Sequence, residues 1–135
     1  MSTFLRAVLV TALMASALAK GLDLQGAGAF FAARLAVSLR AGLLLAAGLV
    51  MVESAAVVAL VGYPRLSVYR AVLALLTAFL VGSLGATLAG WESCGCLGTM
   101  VALPPWVTVG KNVLLTVSGA ELLRRERSIQ CALPA

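Results

Sequence analysis

Charge in this chain is confined to the edges of long apolar runs, and that pattern restricts the fold more than any motif does. No charged residue lies between Arg6 and Lys20, none lies between Arg70 and Glu92, and only Glu53 lies between Arg40 and Arg65. A helix in water keeps a polar face, whereas a run that is apolar on every side is surrounded by lipid or protein. Composition agrees: of 135 residues, 62% are hydrophobic and 11% charged, with a mean hydropathy of +1.08. A soluble domain of this size carries about 25% charged residues. Polar groups cannot cover this chain, so the lipid bilayer is its expected surroundings.

The runs predict an all-α integral membrane protein: a single domain, residues 1–135, folded as a bundle of four transmembrane helices. The expected spans are 4–22, 41–62, 66–90 and 104–123, with a loop over 91–103. The apolar part of the first span, residues 7–19, is only about 13 residues long, short for a full crossing. With Arg6 before it and Ala17-Leu18-Ala19 at its end, it also fits a cleavable signal peptide; retention as a helix is the expectation carried forward. Residues 21–29 read as a glycine-containing polar break, and 30–40 as an interfacial helix or the entry to the second span. Tyr63-Pro64-Arg65 reads as a tight turn that ends the second span. Gly42, Gly48, Gly82 and Gly85 are placed to let helices approach closely.

The net charge of +5 could suggest nucleic acid in a soluble protein, but these cations sit at segment ends and report orientation instead. No nucleic-acid partner is expected. Four spans put both termini and the 63–65 turn on one side, together with Arg6, Arg65, Arg70, Arg124, Arg125 and Arg127. Lys20, Arg34, Arg40 and Lys111 fall to the other side. The bias places the termini in the cytoplasm, in what we take to be a bacterial cytoplasmic membrane, and turns the 91–103 loop to the exterior.

That loop holds Glu92-Ser93-Cys94-Gly95-Cys96-Leu97-Gly98. Disulfides persist on the exterior side, whereas Cys131, in the C-terminal tail, falls on the reducing side. A bridge between Cys94 and Cys96 would close a very small, strained ring, and strained exposed disulfides are oxidising and labile. Gly95 removes the Cβ that would obstruct such a ring, and Gly98 can serve the following turn in the same way. So short a ring restrains little of the unfolded chain, which favours a redox-active pair over a structural staple. Two independent thiols, or an inconsequential disulfide, are the plainer alternative. A metal site would need further ligands, and the chain has no histidine.

Glu53 is the second candidate. A carboxylate inside a span costs a few kcal/mol and usually faces the bundle interior with a partner or a function. Counting from the span ends puts Glu53 about 18 Å in from Ala41 and Lys111 about 10 Å in from Pro104. A Glu53–Lys111 pair is one expectation, with Lys20 as a second candidate partner and a protonated, structurally hydrogen-bonded Glu53 as the alternative. Spacing alone favours Lys20 as a snorkelling lysine at a helix stop. Trp91 and Trp106 read as interfacial anchors, and Asn112 as a hydrogen-bond donor between helices or back to the loop.

Taken together, these motifs resemble the MauE/DoxX-like family of redox-associated membrane proteins. The resemblance rests on Ala19-Lys20-Gly21-Leu22-Asp23, Glu53, Cys94-Gly95-Cys96-Leu97-Gly98, Trp106 and Lys111-Asn112. The family pattern has Phe where this chain has Leu97. The resemblance implies a four-helix membrane bundle working with an extracytoplasmic thioredoxin-like partner, as MauE does in methylamine dehydrogenase maturation.

The leading functional expectation is a membrane thiol–disulfide relay through Cys94 and Cys96. No cofactor is evident in the sequence, but a carrier such as a quinone would be needed to complete an oxidase cycle. Two rivals are an anchor or assembly subunit with the cysteine loop as a docking element, and a small transporter using Glu53 and Lys111.

Overall fold

A computed structural model of the chain describes residues 2–63, 65–91 and 104–132, with residues 2 and 129–132 as backbone alone. Those residues form five helices: α1 (Ser2–Leu22), α2 (Leu24–Leu35), α3 (Leu39–Gly62), α4 (Leu66–Leu88) and α5 (Pro105–Ala132). No strand occurs among the described residues. Three helices are long and apolar enough to cross a membrane: Thr3–Leu22, Leu39–Gly62 and Leu66–Leu88. α5 is the longest at 28 residues, but Lys111, Asn112 and a charged final third keep it outside that group.

The exposed faces show what solvent these helices require. On α3 the residues turned outward include Leu44, Met51 and Val58, each more than 60% exposed, while Gly42, Ala46, Glu53 and Leu60 are buried. The polar side chain is inside and the apolar ones are outside, the reverse of a helix in water. α4 repeats the arrangement, with Ser83 buried and Val81 and Leu88 exposed.

The expected polar break at 21–29 is mostly helix. Only Asp23 interrupts it: its carboxylate Oδ1 accepts from the Gly26 N–H at 3.0 Å and its carbonyl from the Ala27 N–H at 3.0 Å, capping α2. The Asp side chain satisfies an N–H left without a partner in the first turn, so the chain breaks and restarts within one residue. At the other end of α2, Ala36 adopts the left-handed conformation (φ 52°) and the Val37 N–H returns to the Ala32 carbonyl at 3.1 Å. Ser38 then caps α3, its Oγ accepting from the Ala41 N–H at 3.3 Å. Residues 30–40 are therefore the end of one helix and the start of another.

α1 and α2 run in the same direction along α3 as one broken helix. Arg6 Nη2 donates to the Val61 carbonyl at 3.0 Å, Ser16 Oγ to Glu53 Oε1 at 3.1 Å, and further on Gly28 meets Gly42. At that crossing a Cβ on Gly42 would run into the Gly28 carbonyl oxygen and the Ala32 backbone. Of the four glycines expected to permit close approach, only Gly42 does so; Gly48, Gly82 and Gly85 have open space where a Cβ would lie.

α4 and α5 pack antiparallel. Asn112 Nδ2 donates to Ser83 Oγ at 3.1 Å and to the Phe79 carbonyl at 3.3 Å, and Thr116 Oγ1 reaches the Leu76 carbonyl at 3.4 Å. Leu9, Leu13, Leu60, Tyr69, Val72, Leu76 and Leu122 fill the end of the bundle that holds the α3–α4 turn. The other end, toward Trp91, is not filled in this way, and the polar residues converge there.

Candidate functional site

The break at Asp23 ends α1 beside the middle of α3. Along α3, at 1.5 Å per residue, Glu53 lies about 21 Å from Leu39 and about 14 Å from Gly62. Lys20, in the last turn of α1, reaches Glu53 Oε1 at 2.8 Å. Both side chains are essentially removed from solvent, at 1% and 0% exposure. Ser16 lies one turn before Lys20 on the same face of α1. Lys20 Nζ donates to Ser16 Oγ at 2.6 Å, and Ser16 Oγ donates to Glu53 Oε1 at 3.1 Å. The three side chains form a closed ring of hydrogen bonds centred on one carboxylate oxygen. A cation at the C-terminal end of α1 and the Asp23 carboxylate at the N-terminal end of α2 also match the helix dipoles.

Lys20 is therefore not a snorkelling lysine. Its side chain turns into the bundle, where Glu53 and Ser16 receive it, because α1 ends beside the middle of α3. The ion pair shown for Glu53 is with Lys20 and not with Lys111. Lys111 lies on α5, on another wall of the same cavity. The two lysines are alternatives in sequence, but only the broken helix puts one of them against the carboxylate.

The cavity has a volume of about 470 Å³ and lies between the α1–α2 break, α4 and α5. Leu13 and Leu76 belong both to its lining and to the leucine-rich core, so the cavity abuts the core at one end. Phe31, Leu35 and Trp91 line it toward the other end. Gly82 and Gly85 contribute wall without side-chain volume, which keeps the space open rather than bringing helices together. The Lys20 ammonium lies 6.0 Å from the Phe79 ring centroid.

Glu53 is not fully satisfied. Its second oxygen, Oε2, is buried and has no hydrogen-bond partner. A buried acceptor left without a donor costs on the order of 1–3 kcal/mol, more for a charged group. Among the described residues no group of three or more His, Cys, Asp or Glu is placed to hold a metal ion.

Trp91 does more than mark an interface. Its ring meets Phe30 edge-on at 6.1 Å, and the Arg34 guanidinium lies 5.4 Å from its centroid. α2 is thereby tied to the chain just after α4. Trp106, by contrast, is 72% exposed. Asn112 bonds between helices, as its expected role allowed. Cys94, Gly95, Cys96, Leu97 and Gly98 lie outside the described residues, as does the side chain of Cys131.

Sequence reasoning passed over Ser16 and Phe79. Ser16 had a signal, since it stands four residues before Lys20 in an otherwise apolar run. Phe79 had none, because an aromatic residue in a span is ordinarily packing. No family model matches the chain, and no curated protein or solved structure does either.

Proposed function

We propose that the protein is a membrane thiol–disulfide relay of the MauE/DoxX-like kind, with α5 as a fourth span and both termini in the cytoplasm. Cys94 and Cys96 form the redox pair, with Gly95 and Gly98 permitting the small ring. A thiolate of an extracytoplasmic thioredoxin-like partner attacks the Cys94–Cys96 disulfide, forming a mixed disulfide and releasing one thiolate. The partner's second thiolate resolves it. The partner leaves oxidised, and Cys94 and Cys96 become a dithiol. Return to the disulfide requires a two-electron acceptor, for which a membrane quinone is the fitting class. Maturation of a disulfide-rich periplasmic protein, of the methylamine dehydrogenase type, is the kind of process served.

The observation that carries this proposal is the direction of the cavity. It abuts the leucine-rich core at one end and is lined by Trp91 toward the other. Trp91 stands three residues before Cys94, so their Cα atoms are at most about 11 Å apart. The polar interior and the cysteine pair are then neighbours along the chain.

The test combines topology and trapping. A membrane-impermeant thiol reagent applied to intact cells should label Cys94 and Cys96 only after reduction, and Cys131 not at all. One of Cys94→Ser and Cys96→Ser should accumulate a mixed disulfide with the partner, and both should lose function. Full function in both variants would exclude the relay and leave the docking and transporter roles, which Glu53→Gln separates, and failure to label after reduction would remove the external loop.

A further inference from the structure

We propose that the cavity binds a flat, ring-bearing hydroxyl compound of the phenol or hydroquinone class, whose O–H donates to Glu53 Oε2. The proposal rests on the cavity and not on the thiol relay. Its volume, about 470 Å³, is that of a small-molecule site. Its walls include Phe31, Phe79 and Trp91, which suit a planar ring better than a bare alkyl chain. The deciding group is Glu53, which lines the cavity, is 0% exposed, and has one oxygen saturated and the other unpaired.

The pairing on Oε1 fixes what Oε2 can accept. Lys20 Nζ and Ser16 Oγ both donate to Oε1, so that oxygen is committed as an acceptor. Oε2 is a second acceptor, and its complement is an O–H or N–H. A quinone or an aryl ether presents only acceptors and would leave Oε2 unpaired, opposite a lone pair. A phenol or hydroquinone supplies the donor. A second lysine would also pair with Oε2, but Lys111 belongs to α5 and the ion pair shown is made by Lys20.

The donor and acceptor pattern also predicts how the preference can be abolished. In Glu53→Gln the side-chain carbonyl must take the Oε1 position, because Lys20 and Ser16 donate there. The amide NH₂ then occupies the Oε2 position and becomes a donor. Hydroxyl, ether and quinone oxygens all accept from it, so the site should lose its selection for hydroxyl compounds while still binding. Loss of fold or of general packing would instead remove saturable binding of every ligand.

The experiment uses full-length protein in detergent micelles, carrying Trp106→Phe so that Trp91 alone reports. The probes are 4-nonylphenol and its methyl ether, then a decyl-substituted benzohydroquinone and the matching benzoquinone. Expected in otherwise native protein is saturable quenching of Trp91 by both hydroxyl compounds, about tenfold or more tighter than by their acceptor-only counterparts. Binding by the hydroquinone but not by nonylphenol would assign the site to a redox carrier; binding by both would assign it to phenolic rings generally. Either result supports the proposal. In Glu53→Gln saturable binding should persist and the preference should collapse. Replacing Cys94 and Cys96 by Ser should leave binding unchanged, which separates this site from the relay. Equal affinity of both hydroxyl compounds and their acceptor-only counterparts in otherwise native protein, or an unchanged preference in Glu53→Gln, would overturn it.

Discussion

Replacing Lys20 by Met tests whether the ion pair holds α1 against α3. Both side chains are buried, and Lys20 makes two short hydrogen bonds, 2.8 Å to Glu53 and 2.6 Å to Ser16. Removing the ammonium leaves the carboxylate with Ser16 as its remaining donor and Oε2 still unpaired. Breaking one side of a buried pair costs about 3–5 kcal/mol, while replacing both sides by apolar residues of similar volume is close to neutral. Lys20→Met alone should therefore destabilise by about 3 kcal/mol or more. The double variant Lys20→Met, Glu53→Leu should recover most of that loss. Reversible unfolding in mixed micelles, driven by sodium dodecyl sulfate and followed by circular dichroism, yields all corners of the cycle. Additivity of the two single variants within about 0.5 kcal/mol would refute the pair as a coupled unit.

Four further outcomes follow from the packing. Gly42→Ala should destabilise by about 1–3 kcal/mol, because its Cβ meets backbone atoms of α2 that cannot turn aside. Gly48→Ala, with open space about 9 Å further along the same helix, should stabilise by about 0.5–1 kcal/mol; the opposite order in unfolding midpoints would contradict the α2–α3 crossing. Ala36→Gly should relieve left-handed strain worth about 1–2 kcal/mol and raise the midpoint, unless the residue is not left-handed. Asn112→Leu removes two hydrogen bonds between α4 and α5 and should cost about 0.6–1.7 kcal/mol in the same assay, the range for interhelical bonds in lipid.

The sequence by itself determined the helical class, the three strongly apolar helices and their limits to within a few residues. Hydropathy does this because lipid admits only chains that satisfy their own backbone hydrogen bonds, so a long apolar run is a helix before any neighbour is known. It also singled out Glu53, since a lone carboxylate in such a run is costly enough to require an interior position. It could not choose between Lys20 and Lys111. Both are long cations within nominal reach, and depth counted from span ends assumes unbroken helices. The choice was made at Asp23, whose side chain caps α2 where α1 ends, beside the middle of α3 and Glu53. Local composition around residues 21–29 resembles a loop, because three glycines and an Asp are poor helix formers in isolation. Packing of Gly28 on Gly42 overrides that preference and carries the helix onward along α3. The cavity is also a product of tertiary structure, formed where glycines on α4 face a broken helix and leave a carboxylate oxygen without a donor.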